Sequence, residues 1–273
     1  MSATTTRQKG ESLKILLTND DGIYAPGIAA LRGGLEQLGD IHLISPATEQ
    51  SGVSHTITFL EPLVCKEIYQ GGELHGIAVE GSPADCVKLG VSELIDGPVD
   101  AVVSGINGGL NAGINVLYSG TVAAAIEGAF FGLNSFAISL EYDPAADFDS
   151  AAKIAVPLVQ QILEQKDAPP QLYSINIPTA ATKAFLAGQM PEVKVVPMGT
   201  ERYGEHYWKR QDPKGRDYYW ATNDPPPKPT EHETDLTMLH AGYVTVTPLN
   251  FDMTATGELK KMQQWTLKAT KGS

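Results

Sequence analysis

The stretch Leu13-Lys-Ile-Leu-Leu-Thr-Asn-Asp-Asp-Gly22 decides how the rest of the chain is interpreted. Its first half is a short apolar run, which is typical of a buried strand in a parallel sheet. Asp20 and Asp21 follow at the carboxyl end of that strand, where open α/β sheets bind their ligands. Adjacent carboxylates repel each other and lose hydration on burial, so the pair favours a hard divalent cation such as Mg²⁺ or Mn²⁺. The alternative is a solvated Asp-Gly turn.

The bulk composition fits one large domain, or a core with an appended subdomain. The chain has 273 residues, of which 42% are hydrophobic and 19% are charged, so it is not a disordered chain. Its net charge of −12 argues against broad nucleic-acid binding, because a phosphate backbone requires a basic face. Cys65 and Cys86 form no CxxC motif, so we expect no thiolate zinc site.

The first eleven residues are polar and lack the apolar core of a signal peptide. No stretch approaches the roughly 18 apolar residues of a membrane span. We therefore expect no membrane association, a cytoplasmic location, and a flexible tail over residues 1–12.

Strand and helix signals alternate over residues 13–190, which predicts an α/β core with a doubly wound, mostly parallel sheet and right-handed crossovers. Thr56–Phe59 and Leu63–Tyr69 alternate in polarity and are expected to form an antiparallel pair of strands. Strands are expected at Leu13–Thr18, Ile41–Ser45, Val99–Ser104, Phe136–Leu140 and Tyr173–Ile177, and helices at Pro26–Leu38, Ser82–Ile95, Thr121–Phe131 and Asp147–Glu164.

The pattern changes after residue 190. Residues 191–249 are expected to form a smaller part with a projecting hairpin arm at Tyr203–Trp220, followed by a short helix at Asp235–Ala241 and a closing strand at Tyr243–Leu249. Residues 250–273 are polar except for a few apolar anchors, so this tail is either loose or docked on a partner subunit.

Three loops carry groups suited to binding a cation and a phosphate. The loop from Ser104 to Asn115 is rich in glycine and asparagine, which allow close backbone approach and offer amide groups. Its glycines do not match GxGxxG, which disfavours a dinucleotide site. Ser119-Gly120-Thr121 opens a helix and is a ready site for phosphate. The alternatives are a flexible surface loop and simple helix capping.

The third loop, Glu49 to His55, follows the second parallel strand. Ser51 is a weak candidate for a metal ligand, and His55 is a candidate for a phosphate donor or general acid. A lone histidine near a turn is also often structural. The GxSxG nucleophile elbow is absent from the sequence, which disfavours a serine hydrolase. The three loops should meet at one sheet edge, as expected for metal-assisted hydrolysis of a phosphate ester.

The loops described above lie in sequence blocks that resemble the SurE-type (survival protein E) metal-dependent nucleotidases, and the resemblance extends over roughly residues 13–250. The blocks occur in the family's order and include Ile15-Leu-Leu-Thr-Asn-Asp-Asp-Gly22, Gly81-Ser-Pro-Ala-Asp-Cys-Val-Lys-Leu89, Val103-Ser-Gly-Ile-Asn107, Tyr118-Ser-Gly-Thr-Val122 and Ser174-Ile-Asn-Ile-Pro178. One departure is Asn115, where many members carry Asp.

The resemblance implies a Rossmann-like fold and a phosphomonoesterase that acts on nucleoside 5′- and 3′-monophosphates and on short polyphosphate. It implies one Mg²⁺ or Mn²⁺ per subunit, and a homodimer or homotetramer with an exchanged arm or tail. The implied metal ligands are Asp20, Asp21, Ser51 and Asn107, and the implied phosphate pocket contains Asn19, His55, Asn111, Ser119, Gly120 and Thr121.

Two other classes of function are compatible with some of these features but explain fewer of them. A regulatory module that binds nucleotides without catalysis would leave the paired carboxylates facing a phosphate without compensation. A purely structural oligomerisation protein would leave the Gly/Asn loop without a role. An aspartyl-phosphate mechanism through Asp20 is also less favoured, because Gly22 stands where such sites need a second Asp.

Overall fold

The computed structural model describes residues 12–165, 171–201, 204, 206–222 and 231–268. Most of the predicted N-terminal tail therefore lies outside the described residues. So do Tyr203, at the start of the predicted arm, and the proline-rich segment 223–230.

A nine-stranded sheet forms the centre of the protein, in the order β3-β4-β2-β1-β5-β6-β7-β11-β8. The strands from β4 to β7 in that order run parallel to one another. Strand β3 is antiparallel to β4, and β11 is antiparallel to β7, whereas β8 is parallel to β11. The strands of this sheet are β1 Leu13–Thr18, β2 Gly39–Pro46, β3 Cys65–Gln70, β4 Glu73–Val79, β5 Ala101–Gly108, β6 Asn134–Leu140, β7 Leu172–Ile177, β8 Val193–Val195 and β11 Val244–Leu249. The predicted doubly wound, mostly parallel α/β fold is confirmed.

Helices cover both faces of the sheet. The helices are α1 Pro26–Leu35, α2 Pro83–Leu89, α3 Gly120–Phe130, α4 Phe148–Leu163, α5 Thr179–Leu186, α6 Asp235–His240 and α7 Thr256–Met262. Helices α1 and α4 pack together on one face, and α2 and α3 pack together on the other. Buried side chains alternate between the two faces along β1. Leu17 packs in the apolar core beneath α1 and α4, and Leu16 packs in the core beneath α2 and α3.

The topology creates a switch point beside β1. The chain passes from β1 through α1 to β2 on one side, and later returns so that β5 pairs with β1 on the other side. In open α/β sheets, the crevice outside such a switch point is where ligands bind. The carboxyl ends of β1 and β5, which carry Asp20 and Asn107, therefore lie side by side as predicted.

Several predicted elements differ from the structure. Thr56–Phe59 is a loop and not a strand, because its polar groups bond to neighbouring loops and to α2 instead of a sheet partner. The antiparallel partner of β3 is β4, which the sequence analysis missed together with α5. The helix expected to reach Leu38 ends at Leu35, and β5 continues through Gly108 into the predicted Gly/Asn loop.

The predicted arm is present as a separate antiparallel hairpin of β9 Tyr207–Gln211 and β10 Asp217–Ala221. All ten of its strand residues are exposed. Helix α7 in the tail likewise has no buried residue. No helix within the described ranges is long and apolar enough to cross a membrane.

Candidate active site

The carboxylate of Asp20 is anchored at the centre of the site. Its side chain is only 5% exposed, and its Oδ1 accepts a hydrogen bond of 2.6 Å from the hydroxyl of Thr121. Its backbone carbonyl accepts a bond of 2.7 Å from the N–H of Gln50. Asp20 thus joins the end of β1 to the start of α3 and to the loop that follows β2.

Burial disfavours the charged form of both carboxyl groups. It raises the pKa of Asp20, although the bond from Thr121 opposes the rise. Burial, followed by the charge of Asp20, raises the pKa of Asp21 to about 6, while the N–H of Gly108 at the end of β5 opposes it. Within the described residues, no lysine or arginine forms an ion pair with either carboxylate. Two adjacent, partly desolvated carboxylates without a cation are suited to bind a divalent metal.

A tight turn fixes the direction of the two carboxylates. Gly22 has φ +97°, which L-residues with a side chain rarely adopt, and this closes the turn after Asp21. The side chain of Asn19 spans the turn, donating from Nδ2 to the Gly22 carbonyl at 2.9 Å and accepting from the Gly22 N–H at 3.1 Å. Asn19 is fully buried and also accepts from Ser45. The side chain of Asn19 therefore stabilises the turn that holds Asp20 and Asp21.

The two neutral oxygen donors expected from the sequence fit a cation site. Ser51 donates its hydroxyl proton to Glu49 at 2.6 Å, which leaves the lone pairs of its oxygen available. Asn107 donates from Nδ2 to the Gly109 carbonyl at 2.7 Å, which leaves its amide oxygen available. Among the described residues, no group of three or more His, Cys, Asp and Glu side chains is placed to hold a metal. A cation here would therefore rely on these neutral oxygens beside the two carboxylates, a donor set that Mg²⁺ and Mn²⁺ accept.

Buried hydrogen bonds connect the Gly/Asn loop to the carboxylate pair. Asn111 donates from Nδ2 to Ser139 at 2.9 Å and to Thr121 at 3.4 Å, and Thr121 in turn bonds Asp20. Asn176 on β7 fixes the backbone of Asn111 from both sides, accepting from its N–H at 2.8 Å and donating to its carbonyl at 3.1 Å. The loop is therefore held in one place and is not a flexible surface loop.

Helix α3 begins directly against Asp20. Ser119 caps the helix by accepting from the N–H of Val122 at 3.1 Å. A side chain at Gly120 would come within 2.9 Å of the Asp20 Cβ, so only glycine allows this approach. The structure thus brings together Asp20, Gly120 and Thr121, with Ser119 serving as the cap. The dipole at this helix start favours an anion, and the backbone N–H of Thr121 already bonds the carboxylate of Asp20.

The backbone beside His55 adjoins this helix start, since Ser54 donates its N–H to the Tyr118 carbonyl at 3.1 Å, but the imidazole contacts residues further along α3. Its Nε2 bonds Glu127 at 2.9 Å, and its ring stacks on Phe130 near the other end of α3. Glu127 is seven residues after Gly120, which is about 10 Å along a helix. Burial would raise the pKa of Glu127, but the bonds from His55 and Lys88 outweigh it and lower the pKa.

The sequence analysis missed several groups that support the site. Asn176 and Ser139 hold Asn111, and Glu49 accepts from Ser51. Asp235, at the start of α6, accepts from the N–H groups of Gly113 and Gly199 and so fixes the far end of the Gly/Asn loop. The available signal was that Ser139 and Asn176 stand within apolar strands, Asn134–Leu140 and Leu172–Ile177. Polar groups buried in this way are usually hydrogen-bonded.

The fold and the site define an α/β protein whose paired carboxylates, at the switch point of a doubly wound sheet, face the start of a buried helix. The model of the family described as "Survival protein SurE" matches residues 15–205. The chain belongs to this family.

Relatives and a solved structure cover nearly the whole chain. It is 56% identical over 257 residues to a protein of Rhodopirellula baltica named 5′-nucleotidase SurE, covering 94% of this chain and 100% of the relative. A protein of the same name from Syntrophobacter fumaroxidans is 40% identical, covering 93% and 100%. The crystal structure of the SurE protein from Aquifex aeolicus superimposes with a TM-score of 0.78 at 35% identity, covering 92% of this chain and 98% of the other.

Proposed function

We propose that this protein is a metal-dependent phosphomonoesterase that hydrolyses nucleoside 5′- and 3′-monophosphates to nucleoside and phosphate, and also acts on short-chain polyphosphate. The bond from Thr121 to Asp20 carries this proposal, since it places a carboxylate pair suited to a cation against a helix start suited to an anion. The names of the relatives from Rhodopirellula baltica and Syntrophobacter fumaroxidans support the 5′-nucleotidase activity.

Asp20, Asp21, Ser51 and Asn107 would hold one Mg²⁺ or Mn²⁺ per subunit. When bound, such a cation stabilises charge on the phosphoryl oxygens and lowers the pKa of bound water. The chain's own contribution is to fix these four oxygen donors. Thr121 and Gly108 hold the two carboxylates, while Glu49 directs the hydroxyl of Ser51.

The start of α3 would hold the phosphoryl group. Ser119, Gly120 and Thr121 form this helix start, and the Ser119 hydroxyl, which accepts from Val122, can still donate its proton. The amide nitrogen of Asn111 donates to Thr121 and Ser139, so Asn111 would line the pocket and order Thr121. Asn19 keeps the turn below in shape. In the reaction, a water oxygen forms a bond to phosphorus, the bond from phosphorus to the ester oxygen breaks, and that oxygen takes up a proton.

The donor of that proton was expected to be His55. Its bond to the buried Glu127, about two helix turns from the phosphate site, favours a positioning role for His55 instead. We propose that His55 and Lys88 together hold Glu127 and the adjacent loop in place. Water bound at the site would then supply the proton to the leaving oxygen.

The exposed parts of the chain support a homodimer or homotetramer with an exchanged arm or tail. Helix α7 buries none of its residues, and Trp265 after it is 58% exposed. The hairpin β9–β10 exposes Trp208 and Trp220 in the same way. Exposed aromatic and aliphatic side chains at this density are typical of surfaces that a partner covers.

The test is phosphate release from AMP, 3′-AMP and p-nitrophenyl phosphate, with Mg²⁺, Mn²⁺ or EDTA. We expect release that needs metal and is lost in Asp20→Asn and Asp21→Asn while both variants stay folded. Absence of turnover with any metal, combined with a higher melting temperature in AMP, would instead identify a nucleotide-binding module.

A further inference from the structure

A pocket of about 550 Å³ opens beside the candidate active site, between the loop after β2 and the turn before α2. We call it the Thr48–Glu80 pocket. Its polar lining consists of Thr48, Gln50, Thr56, Thr58, Glu80 and Ser82. A volume of this size lies in the range of small-molecule sites. Neither the metal ligands nor the phosphate-binding helix start lines it.

Two structural links place the pocket next to the phosphate site. The N–H of Gln50, on the pocket wall, bonds the carbonyl of Asp20 at 2.7 Å. On the other side, Ser82 precedes Pro83, whose Cγ lies 3.2 Å from the position of a Cβ at Gly120. The pocket therefore adjoins both the carboxylate pair and the start of α3. This placement leaves the pocket adjacent to a molecule whose phosphate is bound at that helix start.

The lining chemistry suits a neutral polar group. The hydroxyls of Thr56, Thr58 and Ser82 donate to protein acceptors, and that of Ser82 also accepts from the N–H of Asp85. The hydroxyl oxygens of Thr56 and Thr58 therefore retain acceptor capacity. The amide of Gln50 offers both donors and an acceptor, and the carboxylate of Glu80 accepts only. No lysine, arginine or histidine is among the residues that the structure places around the pocket.

We propose that the Thr48–Glu80 pocket is the subsite for the nucleoside of the substrate, a deduction that rests on the proposed function. Glu80 accepts hydrogen bonds from the ribose hydroxyls, and Gln50 bonds the sugar or the base. In a nucleoside diphosphate bound by its terminal phosphate, the inner phosphate would occupy the space of the ribose. It would lie beside Glu80 with no cation to compensate, so the pocket selects monophosphates.

Adenosine, which has no phosphate, tests the subsite without relying on turnover. We would measure its dissociation constant by NMR titration with the full-length chain. Glu80→Gln should weaken adenosine binding about tenfold, since a hydrogen bond to a charged group is lost. Thr48→Trp should abolish binding by filling the pocket. Glu73→Gln, an exposed carboxylate at the other end of β4, is the charge-matched control and should bind as the original protein does.

Hydrolysis gives the second measurement. Glu80→Gln should lower kcat/KM for AMP about tenfold while leaving p-nitrophenyl phosphate unaffected, and Glu80→Lys should raise the rate with ADP relative to AMP. Adenosine that does not bind, or that binds Glu80→Gln and Thr48→Trp as well as it binds the original protein, overturns the subsite. If adenosine binding follows the prediction but neither AMP nor p-nitrophenyl phosphate is hydrolysed, the subsite stands and the proposed hydrolase function fails.

Discussion

Thr121 donates its hydroxyl proton to the carboxylate of Asp20, 101 residues earlier in the chain, over 2.6 Å. This bond fixes the Oδ1 oxygen of Asp20, and the backbone N–H of Thr121 also bonds the carboxylate. The same hydroxyl accepts from the amide of Asn111, so a single side chain links β1, α3 and the Gly/Asn loop. Its loss should therefore affect cation binding and phosphate binding together.

Replacing Thr121 separates the role of its hydroxyl from that of its shape. Thr121→Val keeps the shape but leaves Asp20 without its donor, a loss of about 1–3 kcal/mol in a buried setting. We expect Mn²⁺ affinity, measured by calorimetry, to fall about tenfold and kcat to fall with it. Thr121→Ser retains the hydroxyl and should stay close to the original protein. Equal behaviour of the two variants would contradict a role for this bond.

Asp21→Asn should stabilise the metal-free protein at neutral pH. The pKa of Asp21 is raised from 3.8 to about 6, so its charged form is disfavoured in the folded state and stability falls as the pH rises from about 4 to 6. Above pH 6 the variant should gain about 1–2 kcal/mol in EDTA, after allowance for partial exposure. Near pH 3.5 the gain should vanish.

With Mn²⁺ the order of stability of the two proteins should reverse, because the variant lacks a carboxylate that we propose as a metal ligand. Thermal melts in EDTA and in Mn²⁺ across this pH range provide the measurement. Asp40→Asn, an exposed carboxylate at the start of β2, is the control and should show neither effect. An Asp21→Asn variant that is less stable in EDTA at pH 8 would show that the carboxylate is compensated by the protein itself.

Asn176 is expected to act on phosphate through Asn111. Asn176→Leu removes both bonds to the Asn111 backbone and should destabilise the fold by about 2–3 kcal/mol while weakening inhibition by inorganic phosphate. Asn176→Asp retains the acceptor for the Asn111 N–H and should show a smaller effect on both. The readouts are urea unfolding and the phosphate inhibition constant. Asn134→Leu removes the acceptor for the N–H of Gln171 at the amino end of β6, far along that strand from Ser139, which pairs with Asn176, and should leave phosphate inhibition unchanged.

His55→Gln distinguishes a positioning residue from a general acid. We expect a lower melting temperature, because buried Glu127 loses one of its two partners, and a kcat within about tenfold of the original. Removal of a general acid would instead cost a factor of about 10²–10⁴ and would abolish the basic limb of the pH–rate profile. A fall of that size at an unchanged melting temperature would restore His55 as the proton donor.

The tail should control the oligomeric state. A chain that ends at Phe251 lacks α7 together with the exposed Met262, Trp265 and Leu267, but keeps the contact of Phe251 with Phe130. Light scattering should show a lower molar mass than that of the full chain. The double variant Lys260→Ala with Lys261→Ala, which alters the same helix but no apolar side chain, should keep the original mass. An unchanged mass after truncation would assign assembly to another surface.

Local sequence patterns were sufficient to predict much of the fold. The apolar run of β1 and the cap, proline and acid of Ser82-Pro83-Ala84-Asp85 identify a strand and a helix start from neighbouring residues alone, and the structure has both, including a capping box at Ser82. The carboxylate pair at a strand end was recognisable for the same reason. These features depend on short-range geometry.

Features set by distant partners were not predictable. Glu127, the partner of His55, lies 72 residues away, and Asn176, which holds Asn111, lies 65 residues away. Strand β4 was missed because its first two residues, Glu73 and Leu74, are exposed and only its pairing with β2 and β3 defines it. Thr56–Phe59 alternates like a strand, yet it lies in a loop that bonds to Asp85.

The insertion of β5 between β1 and β6 has a consequence for the order in which the molecule matures. The ribosome releases Asp20 and Asp21 long before the strand whose Gly108 N–H meets Asp21, and before the helix that brings Thr121 to Asp20. A nascent chain that stops short of α3 holds the two acids but neither of these donors. The proposed cation site can therefore be complete only once β5 and α3 have been made, before the chain has supplied β6, β7, β8 and β11.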